Sequence, residues 1–301
     1  MEINKFNILH WHIVDFESFP YQSVVYPLLS EKGAYNPITH VYSQLDVMEI
    51  IDEARIRGLG YPELLTPSNL FDCPANAASS FVYGFMTNLF KEVAGLFPDK
   101  YFHIGGDEVS YTCWNQSEVI KEFMKATTII NIVNKISVKD GSRIPIAWQD
   151  VFDQGVRPAK STLLDVWRTP WQNEVADITA EGYTVILSSP WYLNYISYGI
   201  DWEKYYDVDP LDFDGSEAQK KLVIGGEASM WSEYVDATNF ISRTWPRASV
   251  VAERLWSAAS VNNSNAAGPR LVNHRCRLIR NGIAAEPLYP GFCEYEYNEA
   301  E

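Results

Sequence analysis

The stretch "YFHIGGDEVSYTCW", residues 101–114, decides the fold prediction, because a short apolar run meets two glycines and then two adjacent acids. The apolar residues predict a buried strand that ends near Gly105, and the residues after the acids predict the start of a helix. Asp107 and Glu108 would then lie side by side where a buried strand ends. Two carboxyl groups in one poorly solvated place repel each other, so one of them should have a raised pKa.

The two acids also fit a simpler role at a helix N-terminus, where carboxylates complement the helix dipole and accept hydrogen bonds from unpaired N–H groups. The preceding glycines, Gly105 and Gly106, favour a functional role instead. They leave the strand end uncrowded and allow the backbone to turn both acidic side chains towards one ligand. Neighbouring side chains alternate along a strand, so adjacent acids share a site only where the strand ends.

Apolar or β-rich runs alternate with helical patterns along the whole chain. The predicted strands are 6–14, 101–105, 144–148, 162–167, 184–188 and 222–226. The predicted helices are 44–57, 79–96, 117–137, 172–181, 234–257 and 264–281. This alternation is typical of an α/β fold with parallel strands and crossover helices.

Polar and aromatic residues follow the carboxyl ends of these strands, as they do in the active site of a (β/α)8 TIM-type barrel. They are Asp15, Asp107, Glu108, Trp148, Trp167, Trp191, Tyr192, Glu227 and Trp231. A doubly wound sheet would bind ligands at the same edge, but no G-x-G-x-x-G follows the first strand. We therefore predict one barrel domain over residues 1–301. The barrel is incomplete, because six strands are found and "YPELLTPSNLFDCPANAAS" after the helix 44–57 contains no strand-like run.

Charge and composition exclude several other classes of protein. The formal net charge is −15 and no Lys or Arg cluster stands out, which argues against a nucleic-acid partner. No apolar run reaches the length of a membrane span. The N-terminus enters a strand at once, so no signal peptide is expected in this chain.

Hydrolysis by a metal ion or by a serine nucleophile is less well supported. His10 and His12 form an H-x-H pattern that can hold a metal on a barrel strand, but the later strands do not supply the further histidines that such a site needs. There is no H-E-x-x-H and no G-x-S-x-G motif. Indole rings around the two acids would instead hold one carboxyl protonated as a general acid, and this combination indicates carbohydrate cleavage.

Five stretches resemble the β-N-acetylhexosaminidases of glycoside hydrolase family 20, in particular the eukaryotic lysosomal type with α and β subunits. The stretches are "FNILHWHIVDFESFPYQS", "FHIGGDEVSYTCW", "SSPWYLNYISYGIDWEKYY", "IGGEASMWSEYVDATN" and "WPRASVVAERLWS". The resemblance extends from about residue 5 to residue 293 and implies a retaining exo-glycosidase in which the 2-acetamido group of the substrate is the nucleophile. This mechanism is an exception to the usual scheme with two carboxylates.

The resemblance assigns a role to each candidate residue. Glu108 is expected to protonate the leaving oxygen and then to activate water, while Asp107 holds the N–H of the acetamido group. Tyr192 is expected to hydrogen-bond the acetamido oxygen, and Glu233 the sugar hydroxyls. The other substrate-binding residues are expected to be Trp148, Trp167, Asn194, Trp231, His12 and Asp15. No cofactor and no metal are expected.

Disulfides, partners and location are also implied by the resemblance. Cys276 and Cys293 match a family disulfide, and Cys113 matches another in which Cys73 is expected to replace the usual partner. The substrate is expected to be an amino-sugar glycoconjugate, the assembly a dimer, and the location lysosomal or secreted.

Some parts of the family pattern are missing from this sequence. By the resemblance, we expect no counterpart in this chain for the first barrel strand with its sugar-binding Arg, for the third strand with an Asp and a His behind the catalytic acid, or for the N-terminal accessory domain. We therefore expect a truncated and internally shortened form. The alternatives are a catalytically dead hexosaminidase-like fragment that still binds sugar or a partner and, less well supported, a metal-dependent barrel hydrolase that uses His10 and His12.

Overall fold

The structure, a computed structural model, describes residues 1–15, 17–57, 60–64, 80–108, 143–197 and 199–293. The chain divides into two compact units, the first comprising residues 1–165 with 182–184 and the second residues 166–181 with 185–301. The predicted helix 117–137, Cys73 and Cys113 lie outside the described residues.

The first unit contains two sets of parallel strands. Its elements are a 3₁₀ turn (Glu2–Asn4), β1 (Ile8–Trp11), α1 (Leu28–Gly33), α2 (Gln44–Ile56), β2 (Gly60–Leu64), α3 (Ser80–Leu96), β3 (Tyr101–His103), β4 (Ile144–Trp148), α4 (Asp150–Asp153) and β5 (Leu163–Val166), whose last residue belongs to the second unit. β1 pairs with β2, and β4 pairs with β3 and with β5, each pair being parallel. The carboxyl ends of β3 and β4 therefore lie next to each other.

The core of the first unit forms because the apolar residues of its helices recur on one face. In α2, Val47, Ile51 and Ala54 are buried, and Ser43 caps the helix in a capping box with Asp46. These residues pack with the segment after β1 and with α3 and β3. The buried cluster comprises Ile13, Val14, Phe19, Tyr21, Val47, Ile51, Leu89, Phe90, Val93, Phe97 and Phe102.

The second unit contains a parallel pair of strands and most of the later helices. Its elements are α5 (Gln172–Ala180), β6 (Thr184–Leu187), whose first residue belongs to the first unit, a 3₁₀ turn (Ser189–Trp191), α6 (Trp202–Tyr206), α7 (Glu217–Lys220), β7 (Val223–Gly226), α8 (Phe240–Thr244), α9 (Arg247–Trp256) and α10 (Ser264–Arg280). β6 and β7 are parallel neighbours. A disulfide joins Cys276 to Cys293, as the resemblance implied. No helix of the described ranges is both long and apolar enough to cross a membrane.

The expectation that no strand follows the helix 44–57 is wrong, because β2 (Gly60–Leu64) lies there. The pairing of β1 with β2 shifts between Ile8 and His10, where one residue of β1, Leu9, lies opposite two of β2, Tyr61 and Pro62. Pro62 falls at this irregularity, which can accommodate a residue without a backbone N–H. The sequence of β2, GYPEL, contains neither an aspartate nor a histidine.

The predicted helix 234–257 is also wrong, because two helices, α8 and α9, replace it. Trp245 between them has an extended backbone and precedes Pro246 through a cis peptide bond. Proline disfavours the helical conformation at the residue before it, so the helical pattern of the side chains is interrupted here.

Candidate active site

The turn after β3 presents the two acids by a series of left-handed backbone conformations. β3 ends at His103, and φ is 72° at Gly105, 99° at Gly106 and 48° at Glu108. A Cβ atom at Gly106 would lie 2.7 Å from Cγ2 of Val151, so both the backbone angle and the available space require glycine at this position. The positive φ angles at Gly105 and Gly106 agree with the expectation that glycine lets the backbone turn after this strand.

Three hydrogen bonds hold this turn, and two of them join it to the end of β4 and the residues that follow. The Gly105 N–H donates to Nδ1 of His103 over 3.0 Å, and the Trp148 N–H donates to the Gly105 carbonyl over 3.1 Å. The Glu108 N–H donates to Oδ1 of Asp150 over 3.1 Å. Asp107 is half-buried while Glu108 is exposed, so the two neighbouring carboxyl groups lie in different environments.

Buried aromatic rings form the base of the turn. The His103 ring is fully buried, stacks on His10 at 5.0 Å between centroids, and lies 4.5 Å from the Trp148 ring. Burial, followed by the neighbouring His10 and His12, lowers the pKa of His103 well below its usual value. Nδ1 of a neutral imidazole can accept the Gly105 hydrogen bond, whereas a protonated ring cannot. Because the pKa of His103 is lowered, protonation of the ring, which would break this bond, requires a lower pH than usual.

His10 in β1 and His12 just after it are arranged by packing and by an acid. Nε2 of His12 lies 2.9 Å from Oδ2 of Asp15, and both side chains are partly exposed. The rings of His10 and His103 contact each other face to face, with 23° between their planes. Nitrogen lone pairs lie in the ring plane, so two stacked rings do not direct them at one ion. His10 and His103 therefore do not form a metal site together.

The predicted site residues of the second unit form two contacting pairs. The rings of Tyr192 and Trp231 are stacked at 6.3 Å, and Tyr195 stacks on Tyr192 at 5.9 Å. Nδ2 of Asn194 donates to Oε2 of Glu233 over 3.2 Å. Tyr192 and Asn194 are buried, Trp231 is half-buried and Glu233 is exposed. Trp167, which follows β5, is half-buried with the Arg168 guanidinium 5.0 Å from its ring centroid.

Backbone pairing places the segment that contains Tyr192. The segment runs beside the chain after β7: the Leu193 N–H donates to the Ser229 carbonyl over 2.8 Å, and the Ser229 N–H donates to the Trp191 carbonyl over 2.9 Å. A Cβ atom at Gly226 would lie 2.2 Å from the Trp191 ring, so this glycine makes room for the indole. The Trp191 indole in turn donates to the Tyr205 carbonyl over 3.0 Å.

A buried arginine fixes the same segment from the side of α9. Arg247 is 1 % exposed and donates to the Leu193 carbonyl over 2.7 Å. It also lies 2.9 Å from Oδ2 of Asp201 and 3.3 Å from Oε1 of Glu286. The pKa of Glu286 is raised above its usual value because burial outweighs the opposite effect of the nearby Arg247.

Comparison with known proteins identifies the family of this chain. The model for "Glycosyl hydrolase family 20, catalytic domain" matches residues 1–75 and 66–259. The chain belongs to glycosyl hydrolase family 20. The chain is 47% identical to the β-hexosaminidase subunit beta of Felis catus, with 99% of this chain and 62% of that protein aligned. It is 43% identical to the subunit alpha of Mus musculus, with 99% of this chain and 63% of that protein aligned.

Solved structures of this family share the fold and confirm the predicted barrel class. The chitobiase of Flavobacterium johnsoniae matches with a TM-score of 0.78 and 26% identity, over 93% of this chain and 48% of that one. The β-N-acetylhexosaminidase of Bacteroides fragilis matches with a TM-score of 0.79 and 22% identity, over 95% of this chain and 66% of that one. The family 20 chain described here thus spans about three fifths of the length of the curated relatives it matches.

Two residues of this family 20 chain have structural importance that the sequence analysis missed. Asp150 follows the predicted strand 144–148 by two residues, and its side chain accepts the backbone hydrogen bond of Glu108. Arg247 was not singled out at all. The signal for it was an arginine next to Ala248, Val250 and Val251, since a charge within an apolar stretch indicates a buried and paired side chain.

Proposed function

We propose that this chain is the catalytic region of a retaining exo-glycosidase that removes terminal β-linked N-acetylglucosamine or N-acetylgalactosamine from glycoconjugates. The observation that supports this most is the turn at the end of β3, which presents Asp107 and Glu108 side by side with unequal exposure. The names of the relatives, β-hexosaminidase subunits, support the same activity.

The chemistry divides between the two acids. Glu108 donates its proton to the glycosidic oxygen as the bond to C1 breaks, and the carbonyl oxygen of the substrate's own 2-acetamido group forms a new bond to C1. Asp107 stays charged and accepts the N–H of that amide, which orients the carbonyl and stabilises the positive charge that develops on it. Water then attacks C1 and the bond between C1 and the acetamido oxygen breaks, which restores the acetamido group, while the Glu108 carboxylate accepts a proton from the water.

Further aromatic and polar residues would bind the sugar. Tyr192 would hydrogen-bond the acetamido oxygen, and Trp148, Trp167 and Trp231 would contact the acetamido methyl and the sugar ring. The hydrogen bond between Asn194 and Glu233 would hold the Glu233 carboxylate ready for the sugar hydroxyls. We assign substrate contacts to His12 and Asp15 as well.

Assembly and location follow the relatives. Since the relatives are named as alpha and beta subunits, we infer that this chain associates with a second hexosaminidase subunit, as a dimer. We also infer a lysosomal or secreted location, where the disulfide between Cys276 and Cys293 would persist.

The decisive assay uses a chromogenic N-acetyl-β-glucosaminide and three proteins: the unmodified chain, Glu108→Gln, and Glu49→Gln as a control in an exposed part of α2. Loss of a general acid lowers kcat by about 10²–10⁴-fold, so Glu108→Gln should fall in that range while Glu49→Gln retains full activity. A glucoside that has a hydroxyl in place of the 2-acetamido group should be cleaved far more slowly. If the unmodified chain and Glu108→Gln are both folded and have equal turnover, the proposal is wrong. The alternative of a chain that binds sugar without catalysis would then be favoured.

A further inference from the structure

The backbone of Glu108 has a conformation that its side chain does not favour. Its φ of 48° lies in the left-handed region, where a residue with a Cβ atom is disfavoured. Among the described residues, Lys5 is the other non-glycine residue with a positive φ. A conformation of this kind persists only where surrounding contacts enforce it. Contacts must therefore hold Glu108 in place.

The contact at the Glu108 amide comes from a buried acid on the neighbouring strand end. Oδ1 of Asp150 accepts the Glu108 N–H over 3.1 Å, and Asp150 is 1 % exposed. Asp150 is the first residue of α4 and follows β4 after one residue, so its backbone is part of the rigid edge of the sheet.

The position of Asp150 is itself fixed on both sides. The Trp148 N–H binds the Gly105 carbonyl, and the Gln149 N–H donates to the Asp165 carbonyl of β5 over 2.9 Å. The Val151 side chain occupies the space beside Gly106 that a Cβ atom at that glycine would need. The backbone that carries the acceptor for the Glu108 amide therefore cannot shift without moving the ends of two strands.

We infer that Asp150 is a positioning residue for Glu108: its carboxylate holds the Glu108 amide so that the acid projects in one direction from the turn. This inference rests on the proposed function, in which Glu108 is the proton donor. Asp150 itself does not act on the substrate. A general acid must reach the glycosidic oxygen within hydrogen-bond distance, about 2.6–3.2 Å, and a misplacement of about 1 Å costs roughly 10²-fold in rate.

The test compares Asp150→Ala, which removes the acceptor, with Asp150→Asn, which retains a carbonyl oxygen in nearly the same shape. Asp153→Ala in the same short helix is the control, because Asp153 is exposed. We expect Asp150→Ala to lower kcat by about 10–100-fold, while KM and the affinity for N-acetylglucosamine change less than about twofold. Asp150→Asn should recover most of kcat, and Asp153→Ala should retain the unmodified value.

Amide hydrogen exchange at Glu108 gives a readout that does not depend on activity. Exchange should be slow in the unmodified chain and in Asp150→Asn and at least about tenfold faster in Asp150→Ala. Equal exchange in all three proteins overturns the inference even if the chain is an active glycosidase. If the unmodified chain lacks activity but exchange follows this pattern, the proposed function is wrong, while the inference that Asp150 fixes the Glu108 amide is supported.

The isosteric variant also decides the question if Asp150→Ala does not fold. The inferred role needs only the acceptor oxygen, which Asp150→Asn retains. A folded Asp150→Asn whose kcat falls more than about tenfold, or whose KM rises by as much as kcat falls, would therefore contradict it. A kcat within a few-fold of the unmodified chain, with slow exchange at Glu108, supports it.

Discussion

Replacing Gly106 by alanine tests whether the turn before the two acids is held by close packing. The new Cβ atom would lie 2.7 Å from Cγ2 of Val151, and φ at this position is 99°. Gly155 offers a matched control, since its φ is 81° and its Cβ would meet nothing within 4 Å. Both substitutions add backbone strain, and both reduce the freedom of the unfolded chain by a similar amount. Their difference therefore isolates the collision with Val151.

Overpacking of this kind costs about 1–3 kcal/mol, so Gly106→Ala should lower the free energy of unfolding by that much more than Gly155→Ala. Val151 is β-branched and its χ1 is restricted, which limits how far it can rotate away. Urea unfolding followed by tryptophan fluorescence measures both values. Adding Val151→Ala to Gly106→Ala should recover most of the difference as a coupling energy.

Two results would refute this reasoning. If Gly106→Ala and Gly155→Ala lower stability by amounts within about 0.5 kcal/mol of each other, the predicted contact with Val151 does not limit the turn. If the two substitutions at Gly106 and Val151 are simply additive, the destabilisation of Gly106→Ala has another origin.

Three further predictions concern His103, Arg247 and the disulfide. Because the pKa of His103 is lowered, the unfolded chain binds a proton at this residue below about pH 6.5 while the folded chain does not. The free energy of unfolding should therefore fall by up to about 1.4 kcal/mol per pH unit below that point. His103→Asn should reduce this slope, and His40→Asn, at an exposed histidine, should not. Arg247→Met should cost about 3–5 kcal/mol in a urea titration because it removes the buried guanidinium that pairs with the largely buried Asp201 carboxylate. Lys204→Met, at a half-exposed lysine 3.7 Å from the same carboxylate, should cost less than about 1 kcal/mol; equal losses would contradict the role of burial. Replacing Cys276 and Cys293 by serine opens a loop with a sequence separation of 17 and should cost about 3 kcal/mol, measured against the oxidised chain, and an unchanged melting temperature would show that the loop is constrained by other contacts.

Residue patterns predicted the strands because buried parallel strands are nearly continuous apolar runs. The strand 144–148 matches β4 at both ends, and 101–105 extends β3 by two residues. β2 was not predicted because its five residues, with a proline in the middle, contain no apolar run. The strand is defined by its pairing with β1 and not by its own residue pattern. The break between α8 and α9 could have been predicted from Pro246, but the helical pattern of apolar residues on either side concealed it.

The candidate site was predictable in its residue types but not in its supports. Adjacent acids after two glycines are visible in the sequence, and so are the aromatic residues at the strand ends. The contact from Glu108 to Asp150 joins residues 42 positions apart, and it depends on the φ values of a turn. No local pattern records such a contact, because it arises only when two strand ends become neighbours.

The hydrogen bond from Gly105 to His103 also fixes the tautomer of a buried ring. Since Nδ1 of His103 accepts this bond, the ring proton must lie on Nε2. Nitrogen NMR distinguishes the two tautomers by chemical shift, and a ring that stays neutral gives signals that do not move across the neutral pH range. His103 is therefore a built-in spectroscopic reporter: a change in the shift of its Nδ1 would reveal loosening of the turn that presents Asp107 and Glu108, without a substrate being added.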